Sequence, residues 1–313
     1  MTQEPTIAVV IPCFNEAATI GGVVRSFRAA LPNADIYVYD NNSTDDTAKM
    51  AEQAGAFVRF EPRQGKGYVV RSIFQEIEAD YYLMVDGDDT YPANMANDLL
   101  EPLFEGRAHM TVGERLKNAE RNAFRSMHKV GNFLITETIN RLFQAKLTDV
   151  LSGYRGFTRD FVKTTPLLST GFEIEAELTM HALDARRKIV EVSITYRNRP
   201  TDSHSKLNTF RDGWLILNNI LGIYRDYQPL FFFGILSIVS FILGNVSGLP
   251  VVFEYIKTGV VTRIPMTILA ASLILLSMHF FGVGLVLHTM ARHRRLTQEL
   301  WILATKRNSS LQE

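Results

Sequence analysis

The sequence predicts an α/β protein in which a doubly wound, mostly parallel sheet is flanked by helices and followed by one interfacial and two transmembrane helices. Three observations indicate this. Strand-like runs alternate with amphipathic helical segments along the first two thirds of the 313-residue chain, as in parallel α/β sheets. Clusters of polar residues follow several of those strands. Two long windows near the C-terminus contain no charged residue.

The predicted strands are short runs rich in β-branched and aromatic residues. They are "TIAVVIP", "ADIYVYD", "AFVRF" and "YYLMVD". Helices are predicted at residues 16–31, where apolar side chains recur at helical spacing, and at "STDDTAKMAEQAG" and "GYVVRSIFQEIEAD". Ligands bind outside the carboxyl ends of the strands in such sheets. The clusters "PCFNE", "DNNSTDD" and "DGDDTYP" therefore mark the expected site.

The two uncharged windows run from residue 228 to 253 and from residue 264 to 291. Each exceeds the roughly 20 apolar residues that a membrane helix needs. A buried core helix is the alternative interpretation. The tail after the second window is richer in Lys and Arg than the connector between the windows, so we expect the tail and the N-terminal domain on the cytoplasmic side of the inner (plasma) membrane.

These patterns divide the chain into six predicted parts. The segment 207–227 has the amphipathic pattern of a helix lying in the membrane interface. The full division is a cytoplasmic catalytic-type domain at 1–206, the amphipathic helix at 207–227, a first transmembrane helix at 228–253, an extracytoplasmic connector at 254–263, a second transmembrane helix at 264–291 and a cytoplasmic basic tail at 292–313.

Composition excludes several classes of protein. Lys and Arg together number 33, and so do Asp and Glu. This balance argues against a nucleic-acid partner, which would favour a basic excess. Cys13 is the only cysteine, so an internal disulfide framework and most cysteine-based metal sites are excluded.

Three carboxylates follow the fourth predicted strand in "LMVDGDDTYP": Asp86, Asp88 and Asp89. Acids this close repel one another unless a cation lies between them. Carboxylates shared with substrate phosphates are typical of Mg²⁺ or Mn²⁺. We predict a divalent metal held by Asp86 and Asp88, with Asp88 as the direct ligand and Asp86 as a ligand or a contact for ribose or sugar. A solvated acidic turn is the alternative.

Several segments, in this order, resemble the signature motifs of family-2 glycosyltransferases with the GT-A nucleotide-sugar fold. They are "VVIPCFNEAATI", "VYDNNSTDDT", "RQGKGYVVRSIF" and "YLMVDGDDTYP". The later segments "LTDVLSGYRGFTRD", "GFEIEAELTMHA" and "ITYRNRPTDSHSKLNTFRDG" resemble the polyprenyl-phosphate glycosyltransferase branch, which includes dolichyl-phosphate mannose synthases and GtrB-type enzymes.

The resemblance implies an enzyme that moves a sugar, with inversion, from a nucleotide-diphosphate sugar to polyprenyl (undecaprenyl) phosphate. We expect UDP rather than GDP as the nucleotide. Relatives of the GtrB type also imply a homotetramer. The predicted nucleotide-binding residues are Pro12, Asn15, Glu16, Asp40, Asn42, Lys66 and Asp86.

A lipid phosphate acceptor needs positive charge, because its second pKa is about 6 and it carries nearly two negative charges at neutral pH. Arg suits phosphate oxygens through paired hydrogen bonds. The predicted acceptor-binding residues are Arg115, Arg125, Lys129, Arg155, Glu175, Glu177, Arg199, Ser205 and Lys206, and the predicted catalytic residues are Asp86, Asp88, Arg199 and Lys206. Structural salt bridges are the alternative for Glu175 and Glu177.

Two other functions stay open at this point. One is a glycosyltransferase that acts on a glycan or another acceptor. The other is a catalytically silent membrane scaffold that recruits a flippase through its transmembrane helices.

Overall fold

The computed structural model describes residues 5–119, 126–171, 173–196, 218 and 220–309. The chain divides into two compact units, Met1–Trp214 and Leu215–Glu313. The first unit is the α/β domain, and the second contains the apolar helices.

A seven-stranded mixed sheet forms the centre of the first unit, with the order β3-β2-β1-β4-β6-β5-β7. Its strands are β1 (Ile7–Cys13), β2 (Asp35–Asp40), β3 (Phe57–Phe60), β4 (Tyr81–Met84), β5 (Met110–Ala119), β6 (Arg155–Thr158) and β7 (Ile189–Tyr196). The pairs β1–β2, β2–β3, β1–β4 and β5–β7 are parallel. Strand β6 is antiparallel to both β4 and β5. The predicted mostly parallel sheet is therefore confirmed, with one reversed strand that the sequence pattern did not indicate.

Helices cover both faces of this sheet. They are α1 (Ile20–Ala30), α2 (Thr47–Gln53), α3 (Lys66–Glu76), α4 (Ala96–Phe104), α5 (Ser126–Phe143), α6 (Arg159–Thr164) and α7 (Ile174–Asp184). Alternate residues of β1 enter different cores, Val9 and Ile11 on one face and Ala8 and Val10 on the other, because successive strand side chains point to opposite faces. This two-sided burial explains the continuous apolar run of β1.

Helix α1 begins at Ile20, four residues later than the apolar spacing predicts. The preceding residues form a turn that is bound to the next loop: Glu16 N donates to Thr47 Oγ1 at 2.8 Å, and Ala17 N donates to a carboxylate oxygen of Asp45 at 3.1 Å. The first N–H groups of a helix have no partner within the helix. Here the side chains of Thr47 and Asp45 accept hydrogen bonds from the N–H groups of Glu16 and Ala17, so these residues stay in a loop. The extra loop length lies at the carboxyl end of β1.

The second unit contains two long apolar helices, Pro229–Thr258 and Ile264–Ser309. The stretches Pro229–Thr258 and Ile264–Arg294 are long and apolar enough to cross a membrane, and only 11% and 17% of their most apolar windows are buried. A core helix of a soluble protein would be mostly buried. The two helices pack on each other where Ser237 Oγ donates to Ser277 O at 2.9 Å. Residues 220–227 are also helical, whereas most of the predicted interfacial segment lies outside the described residues.

Candidate active site

The loops after β1, β2 and β4 meet at one edge of the sheet, as the sequence predicts. Asn15 N donates to Ser43 Oγ at 2.9 Å, and Thr44 N donates to Asn15 Oδ1 at 2.8 Å. On the other side, Thr19 Oγ1 donates to the carbonyl of Gly87 at 2.7 Å. The first loop therefore ties the second loop and the acidic loop together.

Left-handed backbone conformations shape these three loops. Asn15, Asn42 and Asp89 have φ angles of 55°, 67° and 59°. Asn and Asp are the non-glycine residues that adopt this region most readily. Asn and Asp at these three positions are therefore favoured by the backbone conformation itself, in addition to any contact with a ligand.

Asp40 lies at the end of β2 and is buried, with 6% of its surface exposed. One oxygen accepts a hydrogen bond from Ser43 N at 3.4 Å, and the other, Oδ1, is buried without a hydrogen-bond partner among the described residues. Buried polar atoms are normally paired, so this oxygen fits an acceptor for a ligand group. Pro12, by contrast, lies buried within β1 opposite Tyr39.

Glu16 packs beneath the acidic loop. A Cβ at Gly87 would overlap a Glu16 carboxylate oxygen and would lie 2.5 Å from Cys13 Sγ. Glycine is therefore required between Asp86 and Asp88 for close packing of the loop on β1. Burial, together with the neighbouring Glu16 carboxylate, raises the pKa of the Cys13 thiol well above its usual value. Cys13 is consequently a neutral packing group.

Lys66 lies between two carboxylates. Its Nζ is 2.5 Å from Asp86 Oδ1 and 2.5 Å from Glu175 Oε1. The Lys66 and Glu175 side chains are 9% and 5% exposed, and that of Asp86 is 27% exposed. Burial opposes the charge on Lys66, but the two carboxylates outweigh it and raise the pKa of the ammonium. Two negative charges and one positive charge thus meet beside the acidic loop.

Asp88 and Asp86 offer the oxygen donors that a divalent cation of the Mg²⁺ class takes. Asp88 is 5% exposed, and its Oδ1 accepts from Thr90 N at 3.2 Å and from Thr90 Oγ1 at 2.6 Å. Among the described residues, no group of three or more His, Cys, Asp or Glu side chains is arranged to hold a metal. These residues fit a cation that is shared with substrate phosphates, which needs one or two carboxylates rather than a protein cage.

A loop between α6 and α7 closes over the start of α3. Gly67 N donates to the carbonyl of Thr170 at 3.1 Å, and a Cβ at Gly67 would overlap the carbonyl oxygen of Ser169. Glu177 holds this loop by accepting from Leu168 N and Ser169 N, both at 2.8 Å. Glu177 therefore has a structural role in the loop through backbone hydrogen bonds, and its predicted contact with the acceptor stays a prediction.

Arg115 is fixed by a buried acid that the sequence analysis did not single out. Its guanidinium makes two hydrogen bonds to Asp149, Nε to Oδ2 at 2.7 Å and Nη2 to Oδ1 at 2.9 Å. Asn132 also donates to Asp149 at 2.9 Å. These bonds hold the pKa of the Asp149 carboxyl below its usual value despite its burial. The segment "LTDVLSGYRGF" contained this acid, but no local pattern showed that it pairs with β5.

Arg155 does not fit the predicted contact with an acceptor phosphate. It is completely buried, and its guanidinium donates to the carbonyls of Ser152 and Val150 at 2.8 and 2.6 Å and to Thr179 Oγ1 at 2.9 Å. Burial lowers its pKa to about 10. Arg155 thus holds the loop before β6 in place, and this structural role replaces the predicted one.

The remaining predicted acceptor residues are not placed by the structure. Arg125, Arg199, Ser205 and Lys206 lie outside the described residues, and so does the side chain of Lys129, whose backbone belongs to α5. Their assignment stays a prediction.

Two residues at this edge of the sheet escaped the sequence analysis. Asn41 is 4% exposed and joins three backbone groups of the following loop. Phe14 is 43% exposed although it follows the buried Cys13. Both lie inside motifs that the sequence analysis used, but nothing local distinguished them from their neighbours.

The comparison with protein families agrees with this fold. The model of the family "Glycosyl transferase family 2" matches residues 8–165, about half of the chain. The chain belongs to glycosyl transferase family 2.

Two relatives cover most of the chain. Glycosyltransferase AglJ of Haloferax volcanii is 33% identical over 288 residues, which are 92% of this chain and 92% of AglJ. The dolichyl-phosphate hexose transferase of the same organism is 27% identical over 69% of this chain and 93% of its own length.

A solved structure shares the fold of the α/β domain. Glucosyl-3-phosphoglycerate synthase from Mycobacterium tuberculosis, in complex with Mn²⁺, UDP and glucosyl-3-phosphoglycerate, matches with a TM-score of 0.57 over 71% of this chain and 79% of that chain, at 22% identity.

Proposed function

We propose that this glycosyltransferase is a membrane-bound, inverting enzyme that moves a sugar from a nucleotide-diphosphate sugar, with UDP as the nucleotide, to polyprenyl phosphate. The observation that carries the proposal is the position of Asp86, Asp88 and Lys66 at the carboxyl ends of the strands. An acidic pair beside a cation suits a diphosphate and its metal better than it suits a neutral ligand.

On the donor side, Asp86 and Asp88 would hold the divalent cation, Mg²⁺ or Mn²⁺. When bound, the cation neutralises charge on the departing nucleotide diphosphate. Solved GT-A structures with Mn²⁺ and UDP support this assignment. Lys66 adds a second positive charge for the phosphate oxygens. The unpaired oxygen of Asp40 would accept a hydrogen bond from the nucleoside.

On the acceptor side, an ionised lipid phosphate is already a nucleophile, so the protein has mainly to bring it close and offset its repulsion from the diphosphate. Arg199 and Lys206, with Ser205, are the proposed contacts. The two apolar helices and the relative named as a dolichyl-phosphate hexose transferase support a lipid acceptor. We place the catalytic domain and the C-terminal tail on the cytoplasmic side because Lys and Arg are enriched after the second span.

The proposal is tested with the full chain in detergent, incubated with Mn²⁺, undecaprenyl phosphate and a panel of radiolabelled nucleotide sugars. We expect one UDP-sugar to yield a lipid-extractable product. Asp88→Asn should lower this transfer by about 10²–10³-fold, as loss of a transition-state charge partner does. Asp98→Asn is the matched control, since Asp98 is an exposed acid on α4.

Each alternative predicts a different result. Label in a glycan or another acceptor with none in lipid would replace the lipid by that acceptor. A scaffold for a flippase would give no labelled product, and Asp88→Asn would then leave its cellular function unchanged.

A further inference from the structure

Lys66 occupies a position that a divalent cation would also use. Its ammonium lies 2.5 Å from Asp86 Oδ1, and a carboxylate oxygen that is paired with an ammonium attracts a second cation less than an unpaired one. Asp88, the other acid of the pair, already has its Oδ1 engaged by Thr90. A cation that arrives alone therefore meets one acid, Asp86, whose Oδ1 is already paired with an ammonium, and a second acid, Asp88, whose Oδ1 already accepts hydrogen bonds.

Glu175 keeps the ammonium within reach of Asp86. Its carboxylate is 5% exposed and lies 2.5 Å from Lys66 Nζ. Since a buried charge without a partner is costly, Glu175 retains the ammonium at this place whether or not Asp86 is available. Glu175 is thus a positioning residue for Lys66, a role that differs from the predicted contact with the acceptor.

The backbone on both sides of Lys66 is hydrogen-bonded to other loops. Gly65 N donates to Asn41 Oδ1 at 2.7 Å, and Gly67 N donates to the carbonyl of Thr170 at 3.1 Å. Both neighbours of Lys66 are therefore pinned to other loops. Rotation of the Lys66 side chain, which is fast compared with loop motion, can therefore carry the ammonium away from Asp86 while these loops stay in place.

From these contacts we infer that Lys66, held by Glu175, couples cation binding to donor binding. In the free protein the ammonium compensates Asp86, and a divalent cation binds weakly. When the nucleotide diphosphate enters, it takes up the ammonium and releases Asp86 for the cation. The identity of the nucleotide rests on the proposed function, whereas the competition at Asp86 does not.

The test measures Mn²⁺ binding to the full chain in detergent by the electron paramagnetic resonance signal of free Mn²⁺, with and without UDP. In the wild-type protein, UDP should raise the affinity for Mn²⁺. Lys66→Met should bind Mn²⁺ alone more tightly than wild type, on the order of tenfold, a typical coupling factor between two ligands. UDP should then raise the Mn²⁺ affinity of this variant by a smaller factor than it raises that of wild type.

Glu175→Gln should have the opposite effect, because the ammonium is left with Asp86 as its only carboxylate partner. Mn²⁺ alone should bind several-fold more weakly than in wild type, as a coupling of this size implies. The double variant K66M/E175Q removes the Glu175 carboxylate together with the ammonium, so that no buried unpaired charge is left at position 175. It should again bind Mn²⁺ alone more tightly than wild type, and it provides the comparison if Lys66→Met does not fold.

Lys163→Met is the matched control. Lys163 lies on α6, pairs with Glu78 at 2.8 Å and is outside the site, so this variant loses the same charge together with a more exposed ion pair. Its Mn²⁺ affinity should equal that of wild type.

Equal affinities for Mn²⁺ alone in wild type, Lys66→Met and K66M/E175Q would overturn the inference. A gain in both Lys66 variants with no effect of UDP on any protein would uphold the competition at Asp86 and overturn the proposed UDP donor.

Discussion

Asn41 Oδ1 accepts a hydrogen bond from Gly65 N at 2.7 Å, and this contact joins the loop after β2 to the start of α3. The side-chain nitrogen of the same residue donates to the carbonyls of Glu61 and Arg63 at 3.0 and 2.8 Å. One amide thus orders the loop that carries Lys66. The position of Lys66 depends on a residue that touches neither Asp86 nor Glu175 in the contacts described above.

Asn41→Asp should destabilise the protein, because a carboxylate cannot donate to the two carbonyls and would face them at close range. Leaving such buried groups unpaired costs roughly 1–3 kcal/mol, so we expect a lower melting temperature. Asn42→Asp is the control, since Asn42 is exposed and Asp tolerates its left-handed backbone. Equal melting temperatures for the two variants would show that Asn41 does not order this loop.

Gly67→Ala should destabilise the protein and raise the KM for the donor. The new methyl group would overlap Ser169 O and lie 2.8 Å from the carbonyl carbon of Thr170, and overpacking of this kind costs about 1–3 kcal/mol. Gly22→Ala, in α1, meets no atom within 4 Å. There we expect a gain of about 0.5–1 kcal/mol, as for any compatible helical site. The melting temperature should therefore fall for Gly67→Ala and rise for Gly22→Ala. An unchanged melting temperature for Gly67→Ala would contradict the close packing of Ser169 and Thr170 on α3.

Glu61 should contribute stability that depends on pH. Hydrogen bonds from Arg63, and further ones from Ser72, lower its pKa from 4.5 to about 2 despite its burial. A carboxyl group with a depressed pKa stabilises the folded state fully above its ordinary pKa, and this contribution is lost as pH falls through the folded value. The melting temperature of Glu61→Gln should thus lie below that of wild type at neutral pH and converge with it between pH 4.5 and pH 2.

Glu52→Gln is the control for this pH experiment, because Glu52 is an exposed acid on α2. Its melting temperature should follow that of wild type at every pH. A difference for Glu61→Gln that stays constant down to pH 2 would contradict the ion pair with Arg63.

Phe14 should contribute to donor binding. Cys13 lies opposite Asp40 in the register of β1 and β2, so Phe14 leaves the sheet at the edge where the unpaired Asp40 oxygen lies. Stacking of a base on an aromatic ring contributes about 1–3 kcal/mol, and Phe14→Ala should raise the donor KM by about tenfold, with little change in melting temperature.

Phe57→Ala serves as the comparison, since Phe57 is 52% exposed at the start of β3. It should leave the donor KM unchanged. An unchanged KM in both variants would exclude a stacking role for Phe14.

Local patterns predicted much of the α/β domain. The alternation of strands with amphipathic helices predicted β1 to β4 and α1 to α3, because each element needs only its own residues to show which side is apolar. The start of α1 was misplaced, since hydrogen bonds from Thr47 and Asp45 hold the residues before it in a loop. The reversed direction of β6 was missed for a similar reason, because strand direction depends on pairing with β4 and β5.

By itself, the sequence determined that three acids would stand at the end of β4, that polar loops would accompany them and that two long apolar helices would follow, because strand ends, charge and hydropathy are properties of neighbouring residues. Only the tertiary structure decided which basic side chain pairs with which acidic side chain. Lys66 and Glu175 are 109 positions apart, and they touch because the packing of α3 and α7 on the sheet brings them to Asp86. The burial of Arg155 could not be predicted from local patterns either, because it depends on the position of β6 between β4 and β5 in the sheet.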